Sequence, residues 1–183
     1  MKRFPEKNVR LMFQDEAGFG RINKPRSCWI SGKMRPTIAG QHIREYRYAY
    51  GAVDPMDGEN YFIIAPACNS DWMGAFLSEL STAYPDDHLI LVMDNAVWHK
   101  AKAIHWPENI ECAFIPPYTP EMNPIEQIWK ELRKSFANKF FKTLKHVINH
   151  LEKAIYHLNS QTVISITQRD WISDCFSRIS EAI

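Results

Sequence analysis

The most constraining feature of this sequence is an unbroken apolar run at residues 88–93, which is followed directly by Asp94. Strands that are buried on both faces have such continuous runs, whereas a strand with one solvated face alternates apolar and polar residues. The run is therefore predicted to be an inner strand of a sheet with helical cover.

Further strands and helices are predicted on both sides of this run. Predicted strands span residues 9–15, 27–31 around Trp29, 44–53, 61–65 and 110–115. A turn at 54–58 that ends in Asp-Gly joins the third and fourth of these strands as a hairpin. Predicted helices span residues 69–84, a segment that opens at Asn123 and Pro124, residues 143–158 and residues 171–179. This order indicates a mixed α/β sheet.

Composition and length exclude several classes of protein. The 183 residues are 45% hydrophobic and 23% charged, which is typical of one globular domain, with or without a small helical appendage. No apolar run reaches the ~18 residues of a membrane span, and no apolar stretch follows the basic amino terminus as in a signal peptide. The scattered cysteines favour reduced thiols in a cytoplasmic protein.

Basic residues are concentrated in two stretches, although the net charge of +1 argues neither for nor against nucleic acid. One stretch holds Arg21, Lys24, Arg26, Lys33, Arg35, Arg44 and Arg47, and the other holds Lys130, Arg133, Lys134, Lys139, Lys142 and Lys145. Such stretches are usually solvated faces, and they become informative only where they flank a chemical site.

Three acids occupy conspicuous positions. Asp15 and Asp94 each follow a strongly apolar predicted strand, and Glu126 lies in the first turn of a predicted helix. Magnesium prefers hard oxygen ligands and takes one or two carboxylates together with water and phosphate oxygens. Two such ions ~4 Å apart can hold both the attacking and the leaving oxygen of a displacement at phosphorus. The three acids therefore suggest a two-metal site if the sheet brings them together.

Each acid also has a structural explanation. Asp15 could be a solvated strand-end residue with its neighbour Glu16 as the relevant acid, although strand alternation puts Asp15 on the face of Phe13 and Leu11. Asp94 could belong to a turn, where Asp and Asn are common.

Glu126 has a comparable alternative at the start of its helix. Asn123 is a good N-cap residue and Pro124 suits the first helical turn. Because Glu126 stands three residues after Asn123, it could close a capping box. A capping role and a metal role could also coexist.

The local strings around the acids carry a family resemblance. Residues 91–100 read LVMDNAVWHK, residues 115–126 read IPPYTPEMNPIE, residues 14–18 read QDEAG and residues 29–36 read WISGKMRP. The chain resembles the DDE transposases of the Tc/mariner superfamily, and most closely their bacterial insertion-sequence branch. In that branch a strand that ends in Asp-Asn, with a His shortly after, precedes Pro-Pro-Tyr-(Ser/Thr)-Pro-x-x-Asn-Pro-Ile-Glu. The resemblance runs from about residue 9 to about residue 158, and the Lys and Gly of the Trp-containing hairpin are transposed.

The resemblance implies an RNase H-like fold, which is a mixed five-stranded sheet flanked by helices. Residues 1–183 would form a single catalytic domain with its sheet core at about 8–138 and C-terminal helices at about 139–183. Asp15, Asp94 and Glu126 would be the catalytic residues and would bind two Mg²⁺ ions, for which Mn²⁺ could substitute. The implied activity is that of an endonuclease and strand transferase, which cleaves phosphodiesters at transposon ends and joins them to target DNA.

The resemblance also implies roles for residues around the acids. Asn95 and His99 would orient ligands or the scissile phosphate, although His99 could instead be a helix-start histidine hydrogen-bonded to backbone. Candidate DNA contacts are Arg21, Lys33, Arg35, Lys130, Arg133 and Lys134. The expected setting is a homodimer on transposon-end and target DNA in the bacterial cytoplasm, at the nucleoid. The helix-turn-helix modules that precede the catalytic domain in relatives are absent from this sequence, so we expect a split or frameshifted gene or an excised domain.

Two other functions remain open from the sequence. The first is another RNase H-like nuclease, such as a resolvase or integrase, which the segment 116–126 disfavours. The second is a domesticated, catalytically silent DNA-binding module, which the presence of all three acids disfavours.

Overall fold

The computed structural model describes residues 8–174 except for residues 24, 28, 30, 33–36, 95–103 and 118. Five strands and four helices are defined in this part of the chain. The strands are β1 (Asn8–Gly20), β2 (Tyr46–Val53), β3 (Asn60–Ala65), β4 (Asp87–Met93) and β5 (Ile110–Phe114). The helices are α1 (Ser70–Ala83), α2 (Ile125–Phe136), α3 (Leu144–Tyr156) and α4 (Ser160–Thr167). A short 3₁₀ turn at Pro120–Met122 precedes α2, and residues 170–174 are also helical.

The five strands form one mixed sheet in the order β3-β2-β1-β4-β5. The pairs β1–β2 and β2–β3 are antiparallel, whereas β1–β4 and β4–β5 are parallel. The mixed five-stranded sheet and the inner position of the apolar run 88–93 are both confirmed.

Helices cover both faces of this sheet, and β1 contributes side chains to both layers. Phe13, Ala17 and Phe19 belong to the core shared with α2, α3 and α4, whereas Met12 belongs to the core shared with α1. This alternation follows from the two-residue period of a strand. The C-terminal helices therefore share one hydrophobic core with the central strand of the sheet.

Two local predictions near the amino terminus are wrong. β1 continues to Gly20, so Asp15 lies inside the strand and not at its end. The strand continues because its second half, through Gly20, pairs with β2. The predicted strand at 27–31 is not formed at its described residues, and Trp29 among them is fully exposed. β-propensity alone does not make a strand without a neighbour to pair with.

The helices α1 and α3 begin directly after residues whose side chains cap them, whereas α2 does not. The side chain of Asn69 accepts the backbone N–H of Trp72 at the start of α1, and the side chain of Thr143 accepts that of His146 at the start of α3. The expected N-cap Asn123 makes no such bond. The predicted helix at 171–179 is helical over 170–174, and its remainder lies outside the described residues. No helix in the described ranges has the length and apolar character required to cross a membrane.

Candidate active site

The parallel pairing of β1 with β4 relates two of the three predicted acids through the register of the strands. The ladder ends at the pair Phe13 and Val92, and continuing the same register by two residues would put Asp15 opposite Asp94, the residue directly after β4. Phe13 and Val92 both contact the core under α2. Because side chains alternate along strands, Asp15 and Asp94 fall on that same face of the sheet.

Asp15 has an unusual environment for a carboxylate. The indole Nε1 of Trp129, a fully buried residue, donates a hydrogen bond of 2.8 Å to Oδ2 of Asp15. Burial, the largest cause, and the negative charges of Glu16 and Glu126 together raise the pKa of Asp15 to about 7, against the lowering effect of two hydrogen bonds. The strongest charges that act on Asp15 are thus of its own sign.

Glu126 lies near this pair without completing a ligand cluster. It stands in the first turn of α2, and its charge is felt at Asp15. Within the part of the chain that the structure describes, no three His, Cys, Asp or Glu side chains are grouped closely enough to hold a metal ion. The charge of Glu126 therefore acts on Asp15, the continued register of β1 and β4 would put Asp94 opposite Asp15, and no three-carboxylate cluster is preformed among the described residues.

The segment before α2 is attached to β1 beside Asp15. Asn123 is buried, and its Nδ2 donates a hydrogen bond of 2.9 Å to the backbone oxygen of Gln14. The residue that caps α2 is Pro124, which offers no side-chain bond, and Oδ1 of Asn123 has no partner among the described residues. The capping-box explanation of Glu126 is therefore wrong. Asn123 links the start of Glu126's helix to the strand that carries Asp15.

The alternative acid, Glu16, belongs to the other layer of the sheet. Its Oε1 accepts a hydrogen bond of 3.0 Å from Nε2 of the buried Gln14. Alternation along β1 puts both residues on the α1 face, opposite α2 and Glu126. Asp15 is accordingly the better placed of the two acids to act with Glu126.

Three further residues shape this site, and none of them was expected from the sequence. They are Trp129, Asn123 in its anchoring role, and Gly51, the partner of Asp15 across the β1–β2 pair. A Cβ on Gly51 would lie 2.4 Å from the ring of Phe62 and 2.9 Å from the indole of Trp129. Only Trp129 had a readable signal, because its position three residues after Glu126 puts both side chains on one helical face.

The basic residues of α2 are exposed near the carboxylates. Nζ of Lys130 is 3.3 Å from Oε1 of Gln127, and Nζ of Lys134 is 2.5 Å from Oε2 of Glu131. The guanidinium of Arg133 lies over the ring of Phe19, 5.8 Å from its centroid.

The other predicted site residues divide into two groups. Asn95, His99, Lys33 and Arg35 lie outside the described residues. Arg21 is described, and its side chain is only 12% exposed. Its guanidinium donates to the backbone oxygens of Phe141 and Lys142 and pairs with Glu45. Arg21 thus joins three segments of the chain, which contradicts its expected role as an open DNA contact.

Two comparisons with known sequences found relatives of this chain. The sequence model of the family described as DDE superfamily endonuclease matches residues 10–148. The uncharacterized protein y4pE/y4sA of Sinorhizobium fredii (strain NBRC 101917 / NGR234) is 32% identical over 130 residues, which cover 69% of this chain and 96% of that protein.

Solved structures with a similar fold include complexes of the Mos1 transposase. The Mos1 strand transfer complex is 18% identical with a TM-score of 0.65, over 90% of this chain and 51% of that one. The Mos1 mariner paired-end complex with Mn is 16% identical with a TM-score of 0.65, over 85% and 51%. A simian T-cell lymphotropic virus intasome is 14% identical with a TM-score of 0.53, over 84% and 50%. These matches confirm the RNase H-like fold, and this chain spans about half the length of the Mos1 chains.

Proposed function

The chain belongs to the DDE superfamily endonucleases, and from this premise we propose that it is the catalytic domain of a DNA transposase of the Tc/mariner superfamily, in its bacterial insertion-sequence branch. It would cleave phosphodiesters at transposon ends and join the released 3′-hydroxyls to target DNA. The observation that carries the proposal is the parallel pairing of β1 with β4, whose register, continued past Phe13 and Val92, would put Asp15 opposite Asp94 on the sheet face that α2 covers.

The residues present fit a divalent cation. The pKa of Asp15 rises to about 7 because the carboxylate is buried and its strongest neighbouring charges are negative, so a bound cation would favour its ionised form. Mg²⁺ commonly takes one or two carboxylates and fills its remaining positions with water and phosphate oxygens. Asp15 and Asp94 therefore suffice for one ion, and Glu126 is the further ligand for a second. Mn²⁺ is expected to substitute for Mg²⁺.

The chemistry that the two ions supply when bound is neutralisation of the negative charge that develops at phosphorus. The protein's own contribution is orientation. Trp129 fixes one oxygen of Asp15 through its indole N–H, and Asn123 fixes the start of α2 relative to β1. Asn95 and His99, which follow Asp94 in the chain, are proposed to orient the scissile phosphate.

DNA would approach along the exposed face of α2. Lys130, Arg133 and Lys134 lie one and two turns beyond Glu126, where cations can neutralise successive phosphates. Lys33 and Arg35, in the segment between β1 and β2, are proposed as further DNA contacts. The protein would act as a homodimer on transposon-end and target DNA in the bacterial cytoplasm, at the nucleoid.

A metal-dependent cleavage assay with a matched pair of variants tests this proposal. Duplex DNA is incubated with the protein in Mn²⁺ or Mg²⁺, and the same reaction is run with Asp94→Asn and with Asp71→Asn. Asp71 is an exposed acid in the first turn of α1, so its variant carries the same chemical change at an acid that the proposed site does not include. We expect Asp94→Asn to lose cleavage and Asp71→Asn to keep it. Cleavage by Asp94→Asn at the rate of the unaltered protein would reject the proposed site.

A second candidate is an integrase-type nuclease, which the fold of the intasome match favours. The fold is shared by both candidates, whereas the proline-rich segment 116–126 supports the transposase. A strand-transfer assay with precleaved transposon ends separates the transposase from a nuclease that only hydrolyses DNA, because such a nuclease would not join those ends to a second DNA. Binding of DNA with no cleavage in either metal would instead support the catalytically silent module.

A further inference from the structure

A pocket of about 250 Å³ opens between the end of β1 and the C-terminal half of α2. Its walls combine aromatic rings with cationic side chains. The rings are those of Phe19, Tyr46, Phe136 and Phe141, and the cations are Arg26, Arg133 and Lys139. No acidic side chain is among the described residues that line it.

The three cations of this pocket differ from the basic residues around it. Lys134 and Arg21 directly adjoin pocket-lining residues in the chain. Lys134 is ion-paired with Glu131, and Arg21 is ion-paired with Glu45. No carboxylate is paired with Arg26, Arg133 or Lys139 in the ranges that the structure describes. The pocket therefore keeps three positive charges that the protein does not neutralise with its own described acids.

The rim of the pocket is held in place by specific contacts. The side chain of Asn138 accepts the backbone N–H of Arg26 at 2.8 Å and donates to its backbone oxygen at 3.2 Å. Asn138 itself has a φ of 60°, a left-handed conformation that asparagine tolerates better than most residues. These contacts fasten the segment that carries Arg26 to the loop that follows α2.

A glycine in β1 makes room for the aromatic wall. A Cβ on Gly20 would lie 2.5 Å from the ring of Tyr46 and 2.7 Å from the backbone oxygen of Glu45. Only the absence of a side chain lets the Tyr46 ring lie across the end of β1. Tyr46 remains 37% exposed, so part of its ring is open to a ligand.

The distance between Glu126 and the pocket, measured along α2, can be expressed in nucleotides of a DNA strand. Glu126 and Arg133 lie on the same helix, seven residues apart, which corresponds to about 10 Å along its axis. A stacked DNA strand advances about 3.4 Å per nucleotide, so the pocket lies about three nucleotides from a phosphate at Glu126.

We propose that this pocket binds one nucleotide of the DNA strand, about three nucleotides from the phosphate at the carboxylates. Its base would lie against Tyr46 and Phe136, and its phosphate would lie among Arg26, Arg133 and Lys139. The location of that strand rests on the proposed function. Stacking on aromatic rings accepts every base, because each has a π face, so the pocket would grip DNA without reading its sequence.

Equilibrium binding of two oligonucleotides tests for a base in the pocket. Fluorescence anisotropy compares single-stranded oligothymidine with an abasic strand of the same length and charge, with EDTA present so that no cleavage occurs. We expect the protein to bind oligothymidine about tenfold more tightly, as one stacked base would give. Equal affinities for the two strands would overturn the proposal in favour of phosphate contacts alone.

Matched variants then assign the base preference to the pocket. Tyr46→Ala should reduce the tenfold preference to within about twofold, and Tyr156→Ala, which removes a tyrosine that is 86% exposed on α3, should retain it. Arg133→Gln should weaken both strands together, since it removes a phosphate contact, whereas Arg169→Gln should not. A preference that persists in Tyr46→Ala would overturn the proposal.

A crosslinking experiment on the unaltered protein keeps the test independent of any folding defect in the variants. A strand that contains 5-iododeoxyuridine is irradiated in the complex, and the crosslinked peptides are identified by mass spectrometry. We expect crosslinks at Tyr46 or Phe136, and crosslinks confined to other peptides would overturn the proposal. Because the binding measurements use no metal, equal affinities of the unaltered protein for the two strands reject the pocket alone. Normal cleavage by Asp94→Asn rejects the proposed function and, with it, only the location of the strand relative to the carboxylates.

Discussion

Acidic side chains gather at two places along β1, and the charges that surround them at these two places are opposite in sign. Near its start, the Arg10 guanidinium donates from Nε to Asp87 at 2.7 Å and from Nη1 to Asp54 at 3.2 Å and to Asp57. Near its middle, Asp15 receives a neutral indole N–H and the charges of other acids. The two places are about 17 Å apart along the strand.

This comparison distinguishes acids that stabilise the fold from acids that are available to bind a ligand. Burial alone would lower the pKa of Arg10, but its bonds to Asp87 and Asp57 raise it above its ordinary value. Burial still raises the pKa of Asp54 to about 6, even with the guanidinium beside it. Around Asp15, where the strongest charges are negative, the pKa reaches about 7. The protein is therefore able to supply a guanidinium for buried acids, and at Asp15 an external cation would take that role.

The largest effect on stability is expected from Arg10→Met. The change leaves three carboxylates, two of them largely buried, without their shared counter-charge, which should cost about 3 kcal/mol of unfolding free energy at pH 7. Urea unfolding measures the loss, with the exposed Arg169→Met as control. The loss should shrink toward pH 4, because Asp54, whose pKa burial raises to about 6, becomes protonated. A loss below about 0.5 kcal/mol would mean that the guanidinium does not support this cluster.

Asp15→Asn should instead stabilise the protein, raising the free energy of unfolding by roughly 1–3 kcal/mol at pH 8 in EDTA. The pKa of Asp15 is raised from 3.8 to about 7, so the folded protein binds more protons than the unfolded chain between these values. Stability therefore falls as the pH rises through this window, and the full cost is present above pH 7. Unfolding curves from pH 4 to pH 8 should show this fall in the unaltered protein and in Asp71→Asn. Parallel profiles for the unaltered protein and Asp15→Asn would contradict the assignment.

Trp129→Phe should have a smaller effect on stability. It removes the indole donor to Asp15 and keeps most of the ring in the core, so we expect a loss of about 1 kcal/mol. The pKa of Asp15 should rise further because one hydrogen bond that lowers it is gone. The pH window of the stability profile would then move upward, a shift that lost packing alone does not produce. An unchanged pH window would mean that the indole of Trp129 does not influence the pKa of Asp15.

Glu126→Gln should change stability least, by no more than about 0.5 kcal/mol, because Glu126 caps nothing and the glutamine preserves its shape. Cleavage should nevertheless be lost. The two measurements together distinguish a ligand from a structural acid. Full activity with lowered stability would assign Glu126 to the helix alone.

The sequence predicted those elements whose local pattern and tertiary partners agree. The run 88–93 lies in β4, the hairpin of β2 and β3 formed around the turn at 54–58, and α1 began at Ser70, directly after its capping residue Asn69. Family motifs then indicated which acids form the candidate site, and the register of β1 and β4, continued past Phe13 and Val92, would put Asp15 opposite Asp94.

The misses have a common physical origin in long-range partners. β1 continues past Asp15 through a glycine-containing stretch because β2 pairs with it. Asn123 does not form its expected capping bond, and its side chain donates instead to a backbone oxygen of β1. The segment that became α4 was missed because Ser160–Thr167 is rich in Ser, Thr and β-branched residues, whose helix propensity is low, and burial of Val163 compensates. None of these partners can be read from local sequence.

The most direct test of the central claim is a Mn²⁺ titration of thermal unfolding. Bound ligand stabilises the folded state in proportion to the logarithm of its concentration above Kd. We predict that Mn²⁺ raises the Tm of the unaltered protein and of Asp57→Asn, whose acid belongs to the Arg10 cluster, and leaves the Tm of Asp94→Asn unchanged. An equal rise in Asp94→Asn, or no rise in the unaltered protein, would contradict the claim that Asp15 and Asp94 bind a divalent cation.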